Sequence, residues 1–350
     1  MRWNDIYIDS CAAKLGRREN VGTAVEEGRY DAKEAAVEGY WSVCVADQGP
    51  AIAFAVTAAE RALKRTEVAP PDFVIVLHSS CSNQGLDHFA PASYVQGRTI
   101  GGVAAAMEVK QYSNGGLAAL EIGAAYLQAS SKTSAALLTT SDIFALPAFD
   151  RYRSDKGVVF GDGGTGLVLT RRSGVAKLLS TNVISDGTYG AVYIGNDIGT
   201  GIVGSDTVVG PVDLRARRKE YLIDNMALLM KVVESMTKRQ CDSVRGALAD
   251  ADLSCRDIDR WILTNVGQSM VDRQFNHEFA IEEVATTWNW GREVGHLGAA
   301  DQIAGLTYLL ETGALNPGDR VALCGVGMGF TYACAVLEII ERPEWSLTAA

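Results

Sequence analysis

Histidine is scarce in this sequence, and acidic residues outnumber basic ones. The 350 residues include four histidines, and 32 Lys and Arg residues stand against 42 Asp and Glu, which leaves a formal net charge of −10. A chain with this balance is not expected to bind nucleic acid or an anionic membrane surface by general electrostatic attraction. No two histidines lie four residues apart, and no Cys/His cluster has metal-ligand spacing, so no metal site is predicted.

Paired cysteines and long apolar runs are also absent. The seven cysteines are scattered, and none forms a C-x-x-C pair, which argues against a disulfide framework or a zinc ribbon. No run approaches the roughly 18 apolar residues of a membrane span, and the start, MRWNDIYIDS, lacks the apolar segment of a signal peptide. With 47% apolar and 21% charged residues, the sequence predicts a soluble, reduced, cytoplasmic α/β protein.

Strand-like and helix-like segments alternate along the chain, as is typical of α/β folds. Strands are predicted at 73–79, 134–140, 165–171, 260–264, 320–324 and 330–338. Helices are predicted at 51–64, 113–129, about 220–238, 242–250 and about 299–312. The stretch 183–215 is expected to be rich in loops.

The second half of the sequence weakly repeats the first. Three pairs of similar segments occur in the same order: 70–72 and 257–259 before a strand, 113–116 and 296–298 before a helix, and 160–164 and 325–329 before another strand. One such pair is easily a coincidence, but three in order predict an internal duplication. Two halves of this kind are expected to form one body with a joint core.

The common phosphate-binding and hydrolase motifs do not account for the function of this sequence. Residues 161–166 match G-x-G-x-x-G, but the following LVLTRR is strand-like, whereas a dinucleotide site needs a helix there. These glycines are therefore interpreted as turn residues. The P-loop pattern and the nucleophile-elbow pattern G-x-S-x-G are both absent.

Two polar residues stand directly before predicted helices. Ser113 opens Ser-Asn-Gly-Gly; a serine there usually caps the helix, although a helix start also offers N–H groups to an oxyanion. A serine hydroxyl still needs a base to become a nucleophile. His296 precedes the next such helix and can fold back towards Asp301. Read alone, each residue fits a structural role, as do the other three histidines.

At these residues the sequence resembles the ketoacyl-acyl-carrier-protein synthase III family of the thiolase superfamily, over about residues 45–340. Residues 159–166 and 327–332 are similar to the family's F-G-D-G-A-G and G-G-G-F-T-W segments, and 316–319 also fits. The resemblance implies an α/β, thiolase-like fold with two duplicated βαβ-type halves in a layered αβαβα architecture. Residues 1–172 would form the half with the nucleophile, and residues 173–350 the half with the His/Asp pair and the Gly-rich C-terminal motif.

The departures from the family pattern indicate the chemistry. The position of the family's nucleophilic cysteine holds Ser113, its histidine position holds Asn265, and its asparagine position holds His296, with Asp301 five residues later. A serine needs a base and an orienting carboxylate where a cysteine needs little help. Ser113, His296 and Asp301 therefore resemble the triad of a small acyltransferase branch in antibiotic pathways.

The resemblance implies transfer of an acyl group, short and polyketide-derived or aromatic, from an acyl carrier protein or a coenzyme A thioester. The group would pass through an acyl-serine to a small-molecule hydroxyl, amine or thiol, without a carbon–carbon bond being made. Backbone N–H groups of Ser113 and Gly329 would hold the oxyanion, no cofactor is required, and a homodimer is expected. Candidate contacts to the carrier or coenzyme A are Arg151, Arg153, Arg215, Arg217 and Arg218.

Two alternatives remain open at this point. One is a serine-variant synthase that primes polyketide synthesis by condensing a starter acyl group with malonyl-carrier, with Asn265 holding a carbonyl. The other is a non-catalytic partner subunit, which would form no covalent adduct.

Overall fold

The structure is a computed structural model that describes residues 1–86, 88–194, 210–223 and 225–345. Its strands are β1 Tyr7–Leu15, β2 Arg17–Asn20, β3 Ser42–Val45, β4 Phe73–Ser79, β5 Ala105–Val109, β6 Ala135–Asp142, β7 Gly163–Thr170, β8 Ala176–Ser185, β9 Arg260–Ile262, β10 Arg320–Gly327 and β11 Thr331–Ile339. Its helices are α1 Val21–Glu26, α2 Ala32–Glu38, α3 Ile52–Leu63, α4 Pro91–Arg98, α5 Gly115–Gln128, α6 Leu214–Leu222, α7 Met226–Asp250, α8 Arg273–Glu278, α9 Trp288–Val294 and α10 Asp301–Glu311.

The predicted elements are found, with one clear error in the second half. One helix was predicted over about 220–238 and another over 242–250, but α7 runs without a break from Met226 to Asp250 and so joins the two. No Gly or Pro lies in the segment 239–241 between the two predicted helices, and buried Val232, Cys241 and Val244 keep one face of the helix on the core. The chain does break earlier, where Asn225 caps α7 by accepting from the Leu228 N–H. Of the predicted loop stretch, 195–209 lies outside the described residues.

The sheet confirms the predicted duplication. Nine strands form one mixed sheet in the order β5-β4-β6-β7-β1-β8-β11-β10-β9. The series β4-β6-β7-β1 and β9-β10-β11-β8 have the same sequence of parallel, antiparallel and antiparallel pairings. The two series meet only where Tyr7 and Ile8 pair with Lys177 and Ala176. The boundary between residues 172 and 173 falls between β7 and β8 and stays a prediction.

Alternating side chains divide the molecule into layers, since successive strand residues point to opposite faces. In the first half Leu77 and Leu138 enter a central core, whereas Val76 and Leu137 face an outer core with α3. The second half repeats this division, with its outer core packed against α7. The helices α5 and α10 lie in the central layer, which confirms the αβαβα architecture. No helix in the described ranges is long and apolar enough to cross a membrane.

The two central helices begin close together, and small residues permit this. A Cβ at Gly116 in the first turn of α5 would lie 2.5 Å from the carbonyl oxygen of Ala299, which precedes α10. A Cβ at Gly115 would clash with the Ser79 side chain. Close approach at this point brings the segments before α5 and α10 together. These are the segments that carry Ser113 and His296.

Candidate active site

Ser113 lies in a short 3-10 turn, Tyr112–Asn114, that leads into α5. The preceding residue, Tyr112, has φ of 48°, in the left-handed region that non-glycine residues rarely adopt. The helix has no side-chain cap, and the Ser113 hydroxyl bonds elsewhere: its Oγ lies 2.7 Å from Nε2 of His296. The capping role considered from the sequence is therefore wrong, and the hydroxyl is placed for proton transfer to the imidazole.

The Gly-rich segment after β6 holds the backbone of His296. The His296 N–H donates to the Val159 carbonyl at 2.8 Å, and the Gly161 N–H donates to the His296 carbonyl at 2.9 Å. A Cβ at Gly161 would lie 2.1 Å from the Val294 carbonyl oxygen, so only glycine permits this contact. The G-x-G-x-x-G match is thus structural, and Gly161 helps to position the candidate base. The predicted turn is wrong for Gly163, Gly164 and Gly166, which lie in β7.

Asp301 orients the imidazole. Its Oδ2 lies 2.6 Å from Nδ1 of His296, and its Oδ1 accepts from the Leu297 N–H at 2.7 Å. Both side chains are buried, His296 at 4% and Asp301 at 1% exposure. With Nδ1 donating to the carboxylate, Nε2 carries the lone pair that faces Ser113. The structure therefore brings all three predicted catalytic residues into one hydrogen-bonded chain.

Asn265 contacts Asp301 through both its backbone and its side chain. Its backbone N–H donates to Asp301 Oδ2 at 2.8 Å, and its Nδ2 donates to Asp301 Oδ1 at 3.1 Å and to the Gly295 carbonyl at 3.2 Å. Tyr40 in turn donates its hydroxyl to the Asn265 carbonyl. Both amide hydrogens of Asn265 thus have protein partners, an arrangement that suits orientation of Asp301 rather than contact with a substrate carbonyl.

The pKa of His296 reflects two opposing effects. Burial disfavours the imidazolium and by itself lowers the pKa, but the negative charge of Asp301 and its hydrogen bond raise it. The net result is a His296 pKa above the usual value for histidine. The base is therefore strengthened, and the positive charge that it acquires on taking a proton is offset by the carboxylate.

An apolar wall that the sequence analysis missed lies beside the triad. The Phe160 ring is 5.3 Å from the His296 ring, and Phe144 and Phe149 each lie 4.7 Å from Phe160. Cys81 packs against this cluster, with its Sγ 4.0 Å from Ser113 Oγ. Burial raises the pKa of the Cys81 thiol well above its usual value, so the thiol is neutral. The aromatic residues that follow β6 in the sequence could have predicted this wall.

The arginines that were predicted to contact the donor differ in how far their side chains are already engaged by other residues of the protein. Arg151 is largely buried, and both of its terminal nitrogens bond to the Asp162 carboxylate, at 3.1 and 2.8 Å. Its Nη1 also donates to the Phe160 carbonyl at 2.8 Å. The Arg151 charge is therefore already compensated inside the protein, and the pair supports the segment that holds the triad.

The other four arginines lie nearer the surface. Arg153 and Arg215 line an open cleft of about 580 Å³ beside the stacked rings of Tyr30 and Tyr152. Arg215 also forms a bidentate pair with Glu34, at 2.6 and 2.9 Å. Arg218 pairs with Asp155, and Arg217 donates to the Tyr193 carbonyl. Their predicted role in binding the donor stays a prediction.

Gly329 lies in the turn between β10 and β11, with φ of 85°. The preceding strand approaches the nucleophile segment: a Cβ at Gly327 would lie 2.8 Å from the Asn114 Cβ, and one at Gly325 would lie 2.4 Å from the Asn114 Oδ1. The turn thus follows a strand that contacts the residue next to Ser113. The oxyanion role of Gly329 stays a prediction. Across the described ranges, no three His, Cys, Asp or Glu side chains are grouped as metal ligands would be.

Comparison with known proteins identifies the family. Residues 107–187 match the model of 3-oxoacyl-[acyl-carrier-protein] synthase III, and residues 248–339 match the model of its C-terminal part. A curated relative, beta-ketoacyl-[acyl-carrier-protein] synthase III 3 of Streptomyces coelicolor, is 27% identical over 301 residues, which cover 84% of each chain.

Solved structures agree with this assignment. ChlB3, described as an acyltransferase, is 31% identical, with a TM-score of 0.91 over 97% of this chain and 99% of that one. The synthase III FabH of Pseudomonas aeruginosa, at 20% identity, shares the fold with a TM-score of 0.73 over 97% of this chain and 99% of that one. The chain therefore belongs to the 3-oxoacyl-[acyl-carrier-protein] synthase III family of the thiolase superfamily.

Proposed function

We propose that this protein is an acyltransferase that carries the acyl group on Ser113 and passes it to a small-molecule hydroxyl, amine or thiol. The observation that carries the proposal is the hydrogen-bonded chain from Ser113 Oγ through His296 to Asp301, with distances of 2.7 and 2.6 Å. A nucleophile, a base and an orienting carboxylate in this order are the parts required for acyl transfer through a serine ester.

In the first half-reaction the thioester carbonyl lies against Ser113. His296 Nε2 takes the hydroxyl proton as Oγ forms a bond to the carbonyl carbon, and the carbonyl oxygen becomes an oxyanion. The backbone N–H groups of Ser113 and Gly329 are the proposed donors to that oxyanion. The carbon–sulfur bond then breaks, and the departing sulfur takes the proton from Nε2, which leaves a thiol and an acyl-serine.

The second half-reaction uses the same groups in reverse. The acceptor X–H gives its proton to His296 Nε2 while its X atom attacks the serine ester. The second oxyanion collapses, Ser113 Oγ leaves and recovers the proton, and the acyl product departs. Asp301 holds Nδ1–H throughout and offsets the imidazolium charge. No carbon–carbon bond forms, and no carbon dioxide is released.

The surroundings of Asn265 favour transfer over condensation. A decarboxylating synthase needs side-chain donors directed at a thioester carbonyl to stabilise the enolate that develops. Here the Nδ2 hydrogens of Asn265 are directed at Asp301 and the Gly295 carbonyl, and His296 bonds to Asp301. Both residues that replace the family's decarboxylating pair thus serve the triad.

The donor and the assembly are part of the same proposal. The donor would be an acyl carrier protein or coenzyme A, which meets the cleft lined by Arg153 and Arg215. The apolar wall at Phe160 suits a short aliphatic or an aromatic acyl group from a secondary-metabolite pathway. The protein would work in the cytoplasm as a homodimer, with β5 as the pairing edge, because this strand ends the sheet of the described residues and exposes Met107.

The test is incubation of the wild-type protein with acetyl-, hexanoyl- and benzoyl-coenzyme A, followed by intact-protein mass spectrometry and peptide mapping. We expect an acyl mass addition on the peptide that contains Ser113. Addition of malonyl-carrier should then give little carbon dioxide and little ketoacyl product. Rapid carbon dioxide release would show that the protein is a condensing enzyme instead, and no adduct with any donor would favour a non-catalytic subunit.

A further inference from the structure

A second buried carboxylate lies at the site, and the triad does not include it. Asp142, the last residue of β6, is fully buried. Its Oδ1 accepts from the backbone N–H groups of Cys81 and Ser82, at 2.7 and 2.6 Å. Its Oδ2 accepts from the backbone N–H of Ala299 at 3.0 Å. One side chain therefore binds the loop after β4 and the turn before α10.

These two segments flank the reacting groups. Cys81 places its sulfur 4.0 Å from the Ser113 hydroxyl. Ala299 lies between His296 and Asp301 in sequence, and its carbonyl oxygen would lie 2.5 Å from a Cβ at Gly116. Asp142 thus joins a segment of the first half, beside the nucleophile, to a segment of the second half, which carries the base and its carboxylate.

The turn before α10 is built to approach this carboxylate. Gly298 has φ of 62°, in the left-handed region. A Cβ at this position would lie 2.2 Å from Asp142 Oδ2. Both the backbone conformation and the close contact therefore favour glycine, which lets the Ala299 N–H reach the carboxylate.

Burial and hydrogen bonding act in opposite directions on the ionisation of Asp142. Burial has the larger effect and raises the pKa of this carboxyl above its usual value, while the backbone donors Cys81, Ser82 and Ala299 oppose the rise by favouring the charged form. The two oxygens accept from three backbone N–H groups, all of which stabilise the carboxylate. A buried carboxylate with this many donors is satisfied without a cation partner.

The negative charge acts on His296. Asp301 dominates the electrostatic environment of the imidazole, and Asp142 and Asp155 act in the same direction from farther away. All three favour the imidazolium that forms when Ser113 gives up its proton. On the side of the Phe160 ring, the charges of Arg151 and Asp162 offset each other in an ion pair.

We propose that Asp142 is a positioning residue for acyl transfer, a buried carboxylate that holds the Cys81–Ser82 loop and the Ala299 turn in one arrangement around Ser113 and His296. The inference rests on the proposed function, because it assumes that Ser113 is the acylated group. Asp142 touches neither the reacting atoms nor the triad side chains, and it acts through the backbone that carries them and through its charge.

The experiment compares wild type with Asp142→Asn in single-turnover acylation by the coenzyme A thioester that acylates the wild type best. The maximal rate should fall about tenfold to a hundredfold, since small displacements of reacting groups cost this much. The thioester concentration that gives half of this rate should change less than about twofold, because Asp142 does not line the donor cleft. The acid limb of the rate profile between about pH 5 and 9 should shift to lower pH, because loss of the negative charge lowers the pKa of His296.

Ser141→Ala is the matched control. Ser141 is the neighbouring residue on β6, is also fully buried, and donates its hydroxyl to Gln84 Oε1 at 2.6 Å. Its loss removes a buried hydrogen bond from the same strand without removing an acceptor for Cys81, Ser82 or Ala299. This variant should retain most of the wild-type acylation rate, and its rate should fall on the acid side at the same pH as that of the wild type.

Three results would overturn the inference. The first is an Asp142→Asn protein with the rate and acid limb of the wild type. The second is an equal loss in Asp142→Asn and Ser141→Ala at every pH, which would indicate a merely structural role. The third is fast hydrogen exchange in wild type at the amides of Cys81, Ser82 and Ala299, a measurement that needs no folded variant. If the wild type itself forms no adduct on Ser113, the proposed function is wrong, and this result is distinguishable from the three that concern Asp142.

Discussion

The Ser113 hydroxyl oxygen lies 2.7 Å from Nε2 of His296, although 183 residues separate them in the chain. Each residue stands just before one of the two central helices, and the duplicated fold places the starts of these helices side by side. The contact is thus a product of the duplication, with the proposed nucleophile from one half and the proposed base from the other.

Replacing Ser113 with Ala should abolish both the covalent adduct and the transfer of the acyl group, because no other nucleophile is activated by the base. Ser113→Cys is the matched variant and should still form an adduct as a thioester, since a thiol needs less help from a base. Intact-protein mass spectrometry measures both. An Ala variant that still carries acyl on the protein would show that Ser113 is not the nucleophile.

Replacing His296 with Ala should reduce the rate of acylation of Ser113 by about 10²–10⁴, the usual contribution of a general base. His277, which is exposed on α8, provides the control: His277→Ala should acylate at the rate of the wild type. Both rates come from rapid quenching and mass spectrometry. Equal rates for the two variants would mean that the imidazole at 296 does not act as the base.

Acylation should require neutral His296, so its rate should fall as the pH drops through the pKa of this residue. Asp301 raises that pKa, which places the acid limb above the usual histidine value of about 6.5. Asp301→Asn should leave the fold intact, lower the rate by roughly 10⁴ at neutral pH as in other triads, and move the limb to lower pH. Rate profiles of the two proteins with one donor make the comparison. An acid limb that moves to higher pH would contradict the assigned role.

Asn265→Ala should cost much less than Asp301→Asn. The side-chain donor to Asp301 Oδ1 is lost, but the backbone N–H of residue 265 still donates to Oδ2. One charge-assisted hydrogen bond of about 1.5–3 kcal/mol is at stake, and only part of it bears on the rate, so we expect a loss of roughly tenfold. A variant that had lost transfer completely, or a wild type whose carbon dioxide release vanished with this change, would place Asn265 at the substrate.

The homodimer is testable through the edge strand β5. Light scattering at micromolar concentration should give twice the chain mass of 37.4 kDa. Met107→Lys should weaken the dimer, because it places a charge at an exposed apolar position of an unpaired edge. Lys132→Ala, on the loop before β6, should leave the mass unchanged. A monomeric wild type would rule out the pairing.

Much of the fold was predictable because it depends on local patterns. Composition and periodicity are enough to predict the apolar strands β4 and β6 and the Ala-rich helix α3. Strand β1 was missed because Asp9 and Lys14 interrupt its apolar run, and Asp9 is only half-buried. The helix α7 was divided wrongly because its polar centre resembles a break, whereas contact with the C-terminal half of the sheet keeps it continuous.

The three triad residues were found from the sequence because their types depart from a family pattern at motif positions. The hydrogen bond between Asn265 and Asp301 was not predicted, because it joins residues 36 positions apart that only the fold brings together. Asp142 gave no signal at all, and its link to Ala299 spans 157 residues. The residue types and their spacing established which groups are available for chemistry and which segments become strands or helices. Which donor meets which acceptor depends on the packing of the folded chain, because a hydrogen bond forms only when segments remote in the chain are placed correctly to within a few tenths of an ångström.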